Sequence, residues 1–212
     1  MMGSKPVRVK IFPLPGALLF PRAQLPLHIF EDRYRDMVRH AIEGDRQIAM
    51  VQPRNPTIDG GPVHAIGCLG EIVGIEELDD GRYNIVLQGV TRFRMIREAE
   101  SDESYRTADV DLAAFDDDDF PDPLSLGQRS AVEQEARAFG EALGLAVDWE
   151  AVGQLDDETL VNAIAQVAPF DVGAKQALLE AETLSPRADL LVQLMQFQRM
   201  APGGPEADQT LQ

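Results

Sequence analysis

The sequence predicts an α+β protein in which a mostly β half precedes a small helical bundle. Three observations predict it. Apolar residues recur at period two from Val7 to about Phe115, they recur at period 3.6 further on, and the acidic, proline-bearing run DDDDFPDP at 116–123 separates the two textures. Strands followed by helices, rather than alternating with them, argue against a doubly wound parallel sheet.

The elements follow in order. VRVKIF sets Val7, Val9 and Ile11 against Arg8 and Lys10 and reads as the first strand. In EDRYRDMVRHAIEG, Tyr34, Met37, Val38, Ala41 and Ile42 share one helical face, with Glu31 and Asp32 at the start and Gly44 at the end. QIAMVQ is a short buried strand closed by Pro53. AIGCLGEIVGIEEL carries Gly67, Gly70 and Gly74, which suit a bent or bulged strand. The turn DDG at 79–81 then makes a hairpin with RYNIVLQGVTRFRMI, where Gly89 marks a bulge, and YRTADVDLAAF adds one more strand.

The run at 116–123 reads as a solvated linker or loop; it lacks the spacing and the glycine of a calcium loop. Beyond it, Ser125 and Gln128 have capping-box spacing ahead of Val132, Ala136, Phe139 and Leu143. Asp156 caps a helix through Leu160, Ile164 and Val167, and Asp171 caps another through Ala174, Leu178 and Leu179. Ser185-Pro186 has N-cap and N1 chemistry before Leu190, Leu191, Leu194 and Phe197, and a Pro/Gly-rich tail is expected to be disordered.

A chain of 212 residues suits one large domain or two small ones. With 19 Lys plus Arg against 36 Asp plus Glu, the net charge of −17 opposes phosphate backbones and anionic membranes. The single cysteine, Cys68, permits no intrachain disulfide and fits a reducing, cytoplasmic setting. The apolar stretch IFPLPGALLFPRAQLPLHIF at 11–30 is broken by Pro13, Pro15, Pro21 and Pro26 and by Arg22, Gln24 and His28. Neither a membrane span nor a signal peptide tolerates those interruptions.

Candidate chemistry is thin. His64 and Cys68 lie four apart in an extended segment, about 13 Å along the backbone, too far for a catalytic pair. His28, Glu31 and Asp32 have no second cluster to complete a metal site, and His40 reads as a solvent-facing helix residue. No P-loop and no GxSxG elbow occurs. Lys10, Arg92, Arg94 and Arg97 make at most a weak basic strip, because strand alternation sets Arg97 opposite Arg92 and Arg94. No catalytic residue, cofactor or metal is expected.

The order LPLHIFEDRYRDMV, then IGCLGEI, then GRYNIVLQGVTRFRM resembles the substrate-binding N-terminal domain of the Lon protease family. LVNAIAQVAPFDVGAKQALLEAETLSPRADLLVQLM resembles the helical part that follows it there, so the resemblance spans residues 7 to 199. It implies a PUA-like, mostly antiparallel β-barrel with one inserted helix, followed by a C-terminal α-helical bundle. The expected division is a barrel at 7–115, an acidic linker at 116–123, a bundle at 124–199 and a tail at 200–212. The ATPase and Ser–Lys peptidase modules of the full protease have no counterpart here, so a stand-alone Lon-type domain is expected.

That resemblance implies a non-enzymatic module of protein quality control that holds unfolded or partly folded polypeptide, with a separate protease or ATPase as a partner. The net charge of −17 argues against nucleic acid and membrane as partners, and the oligomeric state stays open. The candidate binding residues are Leu18, Leu19, Phe20, Leu25, Leu27 and Phe30, either all core or partly displayed as an apolar patch. An RNA-binding PUA-like domain, a hydrolase with an unrecognised site and an adaptor for a separate ATPase or protease are the alternatives.

Overall fold

Six segments of alternating or wholly apolar residues pair into one sheet. They are β1 (Val7–Pro13), β2 (Gln24–Ile29), β3 (Gln47–Val51), β4 (Ile66–Glu77), β5 (Tyr83–Ala99) and β6 (Thr107–Asp111). The computed structural model describes residues 5–117 and 119–200. The strand order is β2-β5-β4-β3-β1-β6, with an additional pairing of β6 on β5, so that β5, β4, β3, β1 and β6 form a closed cycle of neighbours. Among the described residues only β1 and β3 run parallel, with Ile11 opposite Ala49. β2 is the terminal strand, which accommodates Pro26 because an edge nitrogen needs no ladder partner.

The long strands bend at irregularities. Register shifts fall between Leu69 and Gly70, between Ile72 and Gly74, and between Met95 and Arg97. The residues displaced there, Val90, Val73 and Ile96, are 41%, 50% and 52% exposed. Period two therefore fails where it turns apolar side chains outward. Gly89 meets the expectation of an irregular site for a specific reason. The Phe20 carbonyl occupies the space a Cβ would need, with the Phe20 carbonyl carbon 2.7 Å from that position. The hairpin turn forms as expected, with the Gly81 N–H donating to Leu78 O at 2.8 Å and Gly81 at φ 76°.

Helix α1 (Asp32–Glu43) buries Tyr34, Met37, Val38 and Ala41, four of the five residues on the expected face. It closes at Gly44, but the left-handed position is taken by Arg46 at φ 59°, whose guanidinium donates to Ile72 O at 2.9 Å. His40, expected in solvent, is half-buried with Nδ1 3.0 Å from the Tyr105 hydroxyl.

The remaining helices are α2 (Leu126–Ala142), α3 (Trp149–Gly153), α4 (Asp157–Val167), α5 (Val172–Glu180) and α6 (Leu184–Met200). The Ser125–Gln128 capping box is present, and Asp156 caps α4 by accepting from the Thr159 N–H at 2.9 Å. α6 begins at Leu184, so Ser185-Pro186 lies inside its first turn. Its buried face is Leu184, Arg187, Ala188, Leu191 and Met195, while Phe197 is 75% exposed. A buried Arg187, held by Asn162 Oδ1 at 2.9 Å, interrupts the apolar row and conceals the true face from a periodicity reading.

Among the described residues, one compact unit comprises those up to Phe120 together with Asp171–Glu180, and a second comprises Pro121–Phe170 with those from Ala181. The segment 171–180, expected in the bundle at 124–199, thus groups with the sheet. Polar side chains carry it there: Lys175 Nζ donates to Gly16 O at 2.9 Å, and Gln176 Nε2 donates to Ile66 O at 3.1 Å. The tail is expected from residue 200, but Met200 is the last residue of α6, and 201–212 lie outside the described residues.

Candidate functional site

Of the six candidate binding residues, three leave the surface. Leu18, Leu19 and Phe20 are 2%, 1% and 0% exposed. The loop that carries them is fixed by its backbone. Arg22, at φ 64°, donates its N–H to Gly89 O at 2.8 Å, and the Gly89 N–H donates to Ala23 O at 2.8 Å. With the chain pinned on both sides of that bend, the preceding apolar side chains turn into the sheet's core.

The other three remain accessible. Leu25 and Leu27 are half-buried on β2, and Phe30 is 61% exposed just beyond it. Leu27 lies opposite Ile85, and Ile85 lies opposite Ile75 on β4, which is itself 41% exposed. These strands form an open concavity of about 530 Å³ lined by Pro26, Leu27, Ile75, Ile85 and Val86 together with polar neighbours. A polar ladder crosses the same strands: His28 Nδ1 to Asn84 Oδ1 at 2.7 Å, Asn84 Nδ2 to Glu76 Oε2 at 2.7 Å, and Arg82 against His28 Nε2 at 3.2 Å. The His28 ring stacks near Phe30 with centroids 6.2 Å apart. Apolar side chains beside a terminal strand can pack against an extended chain, while Pro26, lacking an N–H, limits backbone pairing along that edge.

The other sequence candidates are taken up by structural partners. Glu31 pairs with Arg33 at 2.9 Å and Asp32 with Arg35 at 3.0 Å, so they do not join His28. Among the described residues, no group of three or more His, Cys, Asp or Glu is placed to hold a metal ion. Cys68 is buried within β4, while His64 lies outside the strands, its imidazole pKa pushed down by burial. The basic strip does not form. Lys10 pairs with Asp45 at 2.8 Å, Arg97 with Asp109 at 2.8 Å, and Arg92 is buried. A second cleft of about 260 Å³ is lined by Tyr34, Arg33, Arg106 and several prolines. Burial raises the Tyr34 pKa, which keeps its hydroxyl protonated, and both guanidiniums already face carboxylates.

Sequence reasoning missed the buried polar centre of the sheet unit. Asp117, placed in a solvated linker, is 7% exposed. Its carboxylate accepts from the Arg92 guanidinium at 2.8 Å and from the Arg92 backbone N–H at 2.8 Å. The same guanidinium donates to Leu179 O at 3.1 Å and lies 4.2 Å from the Phe115 ring centroid. An arginine flanked by apolar strand residues and a carboxylate inside a Phe-bounded acidic run was the available signal. Lys175, buried and with its pKa lowered by desolvation, is the other buried cation of this unit.

The model of a family described as ATP-dependent protease La (LON) substrate-binding domain matches residues 8–196. The Lon protease of Desulfosudis oleivorans is 25% identical over 82% of this chain and 22% of its own length. That of Flavobacterium johnsoniae is 27% identical over 86% of this chain and 23% of its own. The chain therefore spans less than a quarter of the length of these relatives. Among solved structures, a Lon N-terminal domain protein from Xanthomonas campestris superposes with a TM-score of 0.65 at 22% identity, covering 88% of this chain and 98% of that one. The N-terminal domain of the Mycobacterium avium complex Lon protease gives 0.64 at 14% identity, covering 90% and 98%. At those identities the likeness speaks to the α+β fold alone.

Proposed function

Because the chain belongs to the LON substrate-binding domain family, we propose that it is a non-catalytic module that recognises exposed apolar segments of unfolded or partly folded polypeptide in cytoplasmic protein quality control. The observation that carries this reading is the concavity beside β2, where Leu27 and Ile75 stay accessible next to the exposed Phe30. The cycle of pairings from β5 through β4, β3, β1 and β6 back to β5 supports reading the sheet as a PUA-like barrel with α1 inserted. The single cysteine, Cys68, is buried and has no second cysteine with which to form an intrachain disulfide, which fits the reducing compartment. Degradation of what is held falls to a protease or ATPase partner.

Magnitudes set the expected affinity. A fully buried Leu or Phe contributes about 1.5–3 kcal/mol, so three anchors give on the order of 5–9 kcal/mol before ordering costs of several kcal/mol. Single-site binding then falls between about micromolar and millimolar, and tight capture needs several sites at once.

Titration of a fluorescently labelled, permanently denatured protein checks this. The wild-type chain should bind weakly and saturably, and Phe30→Ser, at an exposed position that folding does not need, should weaken binding several-fold. Leu27→Asp should weaken it further. An unchanged isotherm for both variants, or no binding up to about millimolar concentration, sinks the proposal.

A further inference from the structure

The helical unit carries an apolar groove that its own helices leave open. Phe139 and Leu160 are buried at its floor, Trp149 and Val152 form walls, and Leu145 and Val167 stand at its rim, 55% and 80% exposed. Its volume is about 200 Å³, below the roughly 300 Å³ at which small-molecule sites begin. The lining also lacks the few placed polar groups that orient a cofactor. Such a groove suits one or two apolar side chains of a polypeptide.

Its surroundings are acidic. Glu141 follows the floor residues of α2, Asp148 and Glu150 flank Trp149, and Asp156 follows the lining residue Leu155; all four are exposed. The basic side chains at the groove are engaged. Arg137 lies over the Trp149 ring at 5.1 Å, and Arg129 is held by Glu133 at 2.6 Å and Asp157 at 2.9 Å.

We propose that this groove docks a polypeptide segment presenting one or two apolar side chains between lysines or arginines. The inference rests on the polypeptide-binding reading for its ligand class but uses residues of the helical unit alone. Charge decides between occupants. A second copy of this chain, at −17, meets its own sign, and residues 201–212 carry Glu206 and Asp208 with no base, whereas a basic apolar segment meets the opposite sign. The rim acids should speed its arrival and make its binding fall with salt.

Trp149 is the single tryptophan of the chain, so its emission reports on the groove directly. The experiment titrates the full chain at low salt with an end-labelled, tryptophan-free peptide of alternating Leu/Phe and Lys pairs, and with its Lys-to-Glu counterpart. It follows both peptide anisotropy and Trp149 emission. The lysine peptide should shift the emission and saturate by about millimolar concentration, and the glutamate peptide should bind about tenfold more weakly or worse. Val167→Lys, at an exposed rim position, should cost the lysine peptide about tenfold, while Phe30→Ser leaves the emission change intact. Anisotropy binding with silent Trp149 and no effect of Val167→Lys overturns the groove but leaves polypeptide binding standing. No anisotropy change with either peptide overturns both. A Trp149 shift that grows with protein concentration in the absence of peptide overturns the occupant in favour of a second copy.

Discussion

The sheet unit and the helical unit tie their polar side chains to the backbone in different ways. In the sheet unit the ties are long-range and aimed at backbone carbonyls: Lys175 reaches Gly16 O, Gln176 reaches Ile66 O and Arg92 reaches Leu179 O. In the helical unit many are local helix caps, as in the Ser125–Gln128 box, the Asp148 cap of α3 and the Asp156 cap of α4, while its buried Arg187 and Glu135 pair with the side chains of Asn162 and Arg199. Irregular segments leave backbone groups without ladder or helix partners, and a buried one is costly unless a side chain meets it. Helices meet their own. The sheet unit therefore spends charged residues inside itself, whereas the helical unit keeps most of its charge at the surface, around an unfilled apolar groove.

The contrast breaks most sharply at Asp117. Asp117→Ala takes the Asp117 carboxylate away from the Arg92 guanidinium, which stays buried against Phe115 and Leu179 O. Stranding a buried charge costs about 3–5 kcal/mol. Urea denaturation should show that loss, while Asp117→Leu with Arg92→Met should recover much of it, because a pair removed whole leaves no unpaired charge. A loss below about 1 kcal/mol, the scale of surface ion pairs, would mean that the tie is dispensable.

Local chemistry was legible in the sequence, and chemistry that needs a distant partner was not. The capping box at Ser125, the Asp156 cap, the hairpin turn at Gly81 and the apolar face of α1 each lie within a few residues and were readable. Asp117 looked like one more acid in a charged run, since its partner is 25 residues earlier in sequence. Whether Leu18, Leu19 and Phe20 are core or displayed stayed open in the sequence, because the bend that buries them depends on Gly89, on another strand. The 171–180 helix looked like bundle because helical period does not say which surface a helix covers. For the candidate site, Leu25, Leu27 and Phe30 were named, but the β4 wall at Ile75 emerges only from strand register.

A pair of glycine substitutions sharpens the comparison at the next scale. In the sheet unit, Gly89→Ala drives a methyl group into the Phe20 carbonyl and to 3.2 Å from Pro21 Cα. Both are backbone atoms, and the Phe20 carbonyl is held by the Ala23 N–H at 3.1 Å, so neither swings away as a side chain would and the cost should reach or exceed the roughly 1–3 kcal/mol of ordinary overpacking. In the helical unit, a Cβ at Gly127 meets nothing within 4 Å and the residue lies in the first turn of α2. Gly127→Ala should stabilise by up to about 0.5–1 kcal/mol through reduced backbone entropy of the unfolded chain. Thermal melts of the two variants should move in opposite directions. A harmless Gly89→Ala would mean that the loop carrying Leu18–Phe20 can relax and that its burial is not fixed by this contact.

The smallest effect tests whether the helical unit's acids act locally. The Asp156 carboxyl is held below its ordinary value of 3.8 by the Thr159 backbone N–H and then the Thr159 hydroxyl, with burial opposing both. A carboxyl whose folded pKa is depressed gives stability that is complete above the unfolded pKa and lost as pH falls through the folded one. The loss therefore sets in as pH drops below about 3.8 and continues at lower pH. Asp156→Asn keeps a cap of comparable preference but has no proton to gain. Near neutral pH, helical circular dichroism and melting temperature should be almost unchanged in this variant. Below the ordinary aspartate pKa its stability should fall less steeply with acid than that of the wild type. Parallel acid slopes would show that the cap is protonated alike in folded and unfolded chains, so that its hydrogen bonds add no pH-dependent stability.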